Sequence, residues 1–341
     1  MRVYVTRAIP QAGLDILREA GVELEVNPHD RSATRGEILR GVAGADGILC
    51  LLTDTIDEAV MEAAGPGLRG PPTVRGIANY AVGFDNVDVA AATRRGVPVS
   101  NTPGVLTEAT ADQAWALLMC AARRTAESDA FTRTGRWQGW GPMQFLGVDV
   151  AGRTLGIVGA GRIGSAVARR SAGFGMAVLY TDPRPNEDIE RGLGARRVDL
   201  DTLLAEADFV SLHVALAPGT RHLIGSRELA LMKPTAVLVN TSRGPVVDEA
   251  ALVSALRRRQ ILAAGLDVYE DEPALAPGLT ELPNAVLCPH IASATVSTRT
   301  AMAVIAASNL LAMLRNERAP NCVNPEVYTQ PLQRGRRPRT G

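Results

Sequence analysis

The sequence predicts an α/β protein built from two doubly wound parallel units. Three observations carry that prediction. Short apolar runs of strand length alternate with helical segments in two separate stretches of the chain. In the second stretch one such run breaks into a glycine turn that opens a helix. Aromatic residues make up only 4% of a composition that is 46% hydrophobic, so the apolar content is largely aliphatic, as helices layered on parallel strands require. A length of 341 residues fits two domains.

Val3 to Thr6 reads as a strand and Gln11 to Ala20 as a helix, with Leu14 and Leu17 on its inward face and Gly21 as its stop. The unit then repeats, with strands at Val22 to Val26, Gly47 to Leu52 and Val74 to Ala78, and helices at Thr34 to Val42 and Thr55 to Ala64. Gly65 to Pro72, G-P-G-L-R-G-P-P, reads as a surface loop. Val97 to Ser100 is one more short strand. Thr107 to Arg124 is an alanine-rich helix, apolar almost all round and expected to be buried between domains or subunits, with Trp115 as a packing residue. From Thr154 to about Pro289 six strands are expected, at Leu155 to Val158, Ala177 to Tyr180, Phe209 to Leu212, Ala236 to Asn240, Ala263 to Val268 and Ala285 to Cys288. Thr298 to Arg315 is a last apolar helix, expected to return to the first unit. Arg334 to Gly341, with four arginines among glycine and proline, reads as a disordered tail rather than a nucleic-acid arm.

Basic and acidic residues balance at 36 each, so no global charge points to nucleic acid or an anionic membrane. No apolar stretch reaches spanning length, and Met1 to Thr6 reads as a first strand rather than a leader, so no membrane association is expected. Cys50, Cys120, Cys288 and Cys322 form no C-x-x-C pair and read as reduced thiols of a cytoplasmic protein. His29, His213 and His222 show no paired spacing for a metal, so no metal site is expected.

The glycine turn is Gly159-Ala160-Gly161-Arg162-Ile163-Gly164, a G-x-G-x-x-G between strand and helix. Its first glycine makes the tight turn, its second admits a pyrophosphate against the backbone, and its third packs helix on strand. The helix start faces the phosphates with free N–H groups. Asp182 closes the next strand about 20 positions further on, where an acid binds the adenosine ribose and repels a 2′-phosphate. NAD(H) is therefore favoured, while Arg184 leaves NADP(H) open, and a turn role for Asp182 before Pro183 is the structural alternative. His213 follows a strand end and is expected to flank the adenine.

Ligands of an open parallel sheet bind beyond the carboxyl ends of its strands. Arg243, Glu272 and His290 each follow such an end in the second unit. Reduction of a 2-oxo acid needs a cationic fork for the carboxylate, a proton donor for the developing alkoxide and a carboxylate to orient that donor. Arginine, histidine and glutamate match those roles one for one. Each also has a structural reading, respectively a helix-end contact, a loop histidine and a solvated turn acid.

The chain resembles the D-isomer-specific 2-hydroxyacid dehydrogenases, and most closely their glyoxylate/hydroxypyruvate reductase branch. The resemblance is carried by N-Y-A-V-G-F-D-N-V-D (79–88), N-T-P-G-V-L-T-E-A-T-A-D-Q-A-W-A-L-L (101–118), G-R-T-L-G-I-V-G-A-G-R-I-G (152–164), L-V-N-T-S-R-G-P-V-V-D (238–248), G-L-D-V-Y-E-D-E-P (265–273) and P-H-I-A-S (289–293). It implies two Rossmann-like domains with a cleft between them: a flavodoxin-like substrate domain, residues 1–100 and 290–341, and an NAD(P)-binding Rossmann domain, residues 101–289. It implies that Arg243, Glu272 and His290 are catalytic. Leu52, Thr53, the N–H groups of Val82 and Gly83, and Ser293 would bind substrate together with Arg243. Cofactor contacts would come from Ala160 to Ile163, Asp182, Thr241, Asp267 and Thr110. A homodimer is implied, with Trp140 reaching the partner's site. Two departures stand out, a longer loop at Gly70 to Thr73 and Asp182 where close reductases carry serine then arginine. The expected activity is reduction of glyoxylate or hydroxypyruvate to glycolate or D-glycerate. The alternatives are 3-phosphoglycerate dehydrogenase and a non-catalytic NADH-sensing dimer.

Overall fold

The computed structural model describes residues 1–65 and 74–329. The chain forms two compact units, Met1–Leu106 joined by the segment from Thr295 onward, and Thr107–Ala294.

The first unit opens with β1 (Arg2–Val5), α1 (Gln11–Glu19), β2 (Glu23–Val26), α2 (Arg35–Val42), β3 (Gly47–Leu51), α3 (Glu58–Ala63), β4 (Gly76–Tyr80), α4 (Val89–Arg94) and β5 (Val99–Ser100). Its strands are all parallel in the order β2-β1-β3-β4-β5, which is the flavodoxin-like order. Side-chain oxygens set the helix starts. Thr34 and Glu37 form a reciprocal capping box on α2, and Asp57 and Asp88 accept amides at the starts of α3 and α4. The cap at Asp57 explains why α3 starts later than the predicted Thr55: Ile56 pairs with Val87 instead. The short α4 carries no apolar stripe of its own and is not predicted by periodicity.

The second unit contains α5 (Thr107–Ala122), α6 (Thr125–Arg133), β6 (Thr154–Val158), α7 (Arg162–Arg170), β7 (Ala177–Thr181), α8 (Glu187–Leu193), β8 (Arg196–Arg197), α9 (Leu200–Glu206), β9 (Phe209–Leu212), α10 (Ser226–Leu231), β10 (Val237–Asn240), α11 (Glu249–Arg257), β11 (Ala263–Leu266) and β12 (Ala285–Leu287). Its sheet is parallel throughout, ordered β12-β11-β10-β9-β6-β7-β8. The order reverses beside β6, so the glycine turn after β6 lies at the switch point where such sheets bind ligands. All six predicted strands are present. The seventh, β8, is a two-residue edge of exposed arginines with no apolar signal. Likewise α6 buries no residue, and no periodicity announces it. Trp115 packs as expected: it stacks on Phe174 at 4.8 Å between ring centroids and donates to the Val167 carbonyl at 3.0 Å.

The last helix, α12 (Val296–Leu314), belongs to the first unit and packs on α1 and β4. It corrects the reading that no apolar stretch reaches spanning length, because its 19 residues meet that length and hydropathy. Its apolar side chains Met302, Ala303, Ala306 and Leu310 are buried within the unit, which is what the hydropathy serves.

The boundaries between units also differ from the expected ones. Residues 101–106 stay with the first unit, where Thr102 N–H donates to the Ala81 carbonyl at 2.8 Å. His290 and Ser293, expected in the substrate domain, belong to the second unit because the 290–292 amides are bonded to Asp267. The predicted loop at Gly65 to Pro72, beyond Gly65 itself, the longer loop at Gly70 to Thr73 and the arginine-rich tail lie outside the described residues.

Candidate active site

The glycine turn follows the reasoning from sequence closely. Gly159 has φ 93°, and a Cβ there would meet the His213–Val214 backbone at 2.9 Å. At Gly164 a Cβ would lie 2.0 Å from the Gly159 carbonyl, so helix and strand touch there. Gly161 differs: a Cβ would meet nothing within 4 Å. That open space lies at the start of α7, whose first N–H groups, at Arg162 and Ile163, lack intrahelical partners. An anion as large as a pyrophosphate fits such a place. Gly161→Ala is therefore expected to leave the melting temperature unchanged and to weaken dinucleotide binding, by roughly tenfold if one phosphate contact is displaced. Calorimetric titration of the folded variant checks this.

Asp182 follows β7 beside this turn. Its carboxylate accepts the N–H groups of Ala160 and Arg184, each at 3.0 Å. Within the expected run of contacts from Ala160 to Ile163, the Ala160 amide is turned onto Asp182. Two hydrogen bonds leave carboxylate lone pairs for a ribose. Arg197 holds the loop by donating to the carbonyls of Asp182 and Pro183, and Arg184 is exposed. The buried Thr241 hydroxyl has no partner among the described residues, which suits a group awaiting a ligand. Thr110 is buried in α5. His213 is half-buried, hydrogen-bonded to Ser211 at 2.8 Å, and burial lowers its pKa to about 3, so it carries no charge at neutral pH.

Arg243, Glu272 and His290 come together beyond β10, β11 and β12. His290 Nδ1 lies 2.9 Å from Glu272 Oε2, with the side chains 23% and 28% exposed, so the pair is within reach of a ligand. The other Glu272 oxygen accepts the Tyr269 N–H at 3.0 Å. Burial would raise the Glu272 carboxyl, but the His290 hydrogen bond and charge, the Tyr269 amide and the Arg243 guanidinium together bring it below the usual range. Glu272 is thus an ionised acceptor at neutral pH. The shared proton then rides on His290 Nδ1, and Nε2 is left to exchange protons with a substrate.

This lowered pKa has a sign for stability. A carboxyl depressed on folding adds stability above its unfolded value and loses it as pH falls through the folded one. Glu272→Gln is therefore expected to flatten the acid limb of stability against pH, measured by denaturant titration at stepped pH below the ordinary carboxylate range. An unchanged limb would remove Glu272 from that balance.

The backbone of His290 is in the left-handed region, φ 55°, uncommon for a residue with a Cβ. It is held there by Asp267. The His290 N–H donates to the Asp267 carbonyl at 2.9 Å, and the amides of Ile291 and Ala292 donate to the two carboxylate oxygens at 2.8 Å each. Asp267 is fully buried. Each oxygen thus accepts one amide of the 290–292 turn and keeps a further lone pair. Ser293 follows on the same segment and is half-buried.

Two contributors escape sequence reasoning. Glu249 reads as an ordinary acid at a helix start, yet it is buried and accepts the Glu270 and Ala276 amides at 2.6 and 3.1 Å, fastening the segment that carries Glu272. Gly244 packs its backbone against Tyr269 and Glu270, joining the loops of Arg243 and Glu272.

In the first unit, β3 leads to half-buried Leu52 and exposed Thr53, and β4 to half-buried Val82 and Gly83. The N–H groups of Val82 and Gly83 meet no acceptor among the described residues.

The family described as D-isomer specific 2-hydroxyacid dehydrogenase, NAD binding domain, matches residues 115–292. The chain belongs to the D-isomer-specific 2-hydroxyacid dehydrogenases, and the matched part is their NAD-binding domain. Among particular relatives, it is 53% identical over 329 residues to the glyoxylate reductase of Korarchaeum cryptofilum, with 96% of each chain covered. Among solved structures, the TT0316 protein of Thermus thermophilus superposes with a TM-score of 0.87 at 47% identity, covering 95% of this chain and all of that one. The NADPH-dependent glyoxylate/hydroxypyruvate reductase of Sinorhizobium meliloti, in complex with NADP and malonate, gives a TM-score of 0.81 at 34% identity, covering 95% of this chain and 97% of that one.

Proposed function

We propose that this protein reduces glyoxylate or hydroxypyruvate to glycolate or D-glycerate, with NADH as the preferred cofactor. The observation that carries the proposal is the His290–Glu272 pair at 2.9 Å with the Arg243 charge acting on the same carboxylate. The names of the relatives point the same way. Arg243 offers a planar fork that binds the substrate carboxylate and polarises its reacting carbonyl. His290 Nε2 donates the proton that the carbonyl oxygen takes up, while Glu272 steadies the imidazolium before that transfer. The reduced nicotinamide, when bound, supplies the hydride. In the first unit, the N–H groups of Val82 and Gly83, without an acceptor among the described residues, are donors suited to a carboxylate oxygen.

The preference for NADH rests on Asp182, whose carboxylate would meet a 2′-phosphate with like charge. Arg184 is the group that would favour NADPH, the cofactor of the Sinorhizobium relative. A homodimer is part of this reading. The segment after α6 exposes Trp137, Trp140, Met143 and Leu146, of which Trp140 is 85% exposed, and large apolar side chains clustered in this way mark association surfaces. The four cysteines are free thiols, the state favoured in the cytoplasm.

The test is initial-rate oxidation of NADH and of NADPH with glyoxylate, hydroxypyruvate, pyruvate and 3-phosphohydroxypyruvate. Fast NADH turnover with the first two supports the proposal. Preference for NADPH would overturn the assignment to Asp182, and preference for 3-phosphohydroxypyruvate would overturn the substrate. No turnover together with NADH-dependent association would favour a binding protein. Arg243→Lys is expected to lower kcat/KM by more than about tenfold, because an ammonium cannot reproduce the bidentate fork; an unchanged value would sink the clamp.

A further inference from the structure

The two loops of the first unit that carry candidate substrate groups are tied together by a pair of asparagines. Asn79, next to last in β4, is fully buried. Its Nδ2 donates to the Gly83 carbonyl at 2.9 Å and to Asn86 Oδ1 at 3.0 Å. Asn86 Nδ2 in turn donates to the carbonyls of Leu51 and Asp54, each at 3.0 Å. Those carbonyls are the two ends of the turn that presents Leu52 and Thr53. The Asp54 carboxylate closes the same turn from its other side, accepting the Leu51 N–H at 2.7 Å and the Thr6 hydroxyl.

The loop after β4 is oriented with equal care. The Ala81 carbonyl accepts the Thr102 N–H at 2.8 Å, and the Val82 carbonyl accepts Asn101 Nδ2 at 2.7 Å. In a trans peptide the N–H points opposite to the carbonyl of the same plane. With both carbonyls tied, the N–H groups of Val82 and Gly83 are aimed the other way.

We propose that Asn79 and Asn86 are positioning residues for substrate: their joined amides lock the Leu51–Asp54 turn to the Ala81–Gly83 loop, so that the two aimed N–H groups stand in fixed register with Leu52 and Thr53. This rests on the reading of the protein as a 2-oxo acid reductase. Neither asparagine touches the substrate in this scheme. Their effect is on the KM of the acid and not on the binding of cofactor, which concerns residues of the other unit.

Asn86→Asp tests it, since the carboxylate keeps the shape but loses both donors and faces carbonyl oxygens. The KM for glyoxylate is expected to rise roughly tenfold, the size of losing two such hydrogen bonds at a part-buried site. The dissociation constant for NADH, from fluorescence titration, is expected to stay the same, and amide hydrogen exchange is expected to quicken in both loops together. Asn86→Ala, which removes the clamp without adding charge, should behave alike if the aspartate variant does not fold. An unchanged KM in a folded variant overturns the proposal, as does a parallel rise of KM and of the NADH constant with a lowered melting temperature. If the parent protein turns over none of the four acids, the functional reading fails separately. The clamp is then judged by oxalate: a thermal shift of the parent that is lost in Asn86→Asp supports it, and an equal shift, or none in either, overturns it.

Discussion

Replacing His290 by asparagine is expected to lower kcat by roughly 100-fold or more, the usual contribution of a positioned general acid. Asparagine is the better replacement for a reason that lies in the backbone. His290 has φ 55°, and alanine in the left-handed region is disfavoured by about 1 kcal/mol or more, whereas asparagine visits it readily. His290→Ala thus removes the proton donor and also strains the turn that Asp267 holds, while His290→Asn removes the donor alone. Both variants should lose turnover to a similar degree, with only the alanine variant losing melting temperature. NADH binding should be retained in the asparagine variant, since no part of the proposed dinucleotide site has changed. Near-normal turnover in His290→Asn would remove His290 from the chemistry and leave the Glu272 contact as a structural ion pair.

Gly244→Ala is expected to be the most damaging change of a single methyl group in the second unit. The added Cβ would lie 1.8 Å from the carbonyl carbon and oxygen of Tyr269 and 2.4 Å from the Glu270 nitrogen. These are backbone atoms, so no side-chain rotation relieves the overlap, and one of the two loops must move. The Glu270 amide is itself bonded to buried Glu249 at 2.6 Å, which resists movement on that side. Overpacking of this kind costs about 1–3 kcal/mol, and a lower melting temperature is expected. The functional loss should exceed the loss of stability: Arg243 precedes Gly244 and Glu272 follows Glu270, so the displacement falls on the separation of two proposed catalytic groups. A drop of more than about 100-fold in kcat/KM in protein that is still folded is the expected result, in line with the sensitivity of positioned groups to shifts of about 1 Å. Activity within a few-fold of the parent would show that this spacing does not govern the reaction.

Much of this molecule is legible locally. Leu155 to Val158 running into Gly159, Gly161 and Gly164 is a strand, a turn and a helix because each step depends on residues a few positions apart. The same holds for six of the seven strands of the second sheet and for the placement of Arg243, Glu272 and His290 at strand ends. Elements whose stability comes from elsewhere are not legible in this way. The helix α6 buries nothing of its own, and α4 and β8 are too short to show a period.

Short-range spacing and side-chain chemistry were therefore enough for the α/β alternation, the dinucleotide-type turn and the identity of the candidate catalytic groups. Long-range packing had to supply the rest: which oxygen of Glu272 meets which nitrogen of His290, that Asp267 faces the 290–292 turn, that Ala160 is bonded to Asp182 and that Asn79 and Asn86 join two loops. The physical reason is that a buried polar group must find a partner wherever the packed chain supplies one, and that partner is set by the sheet order and not by distance along the sequence.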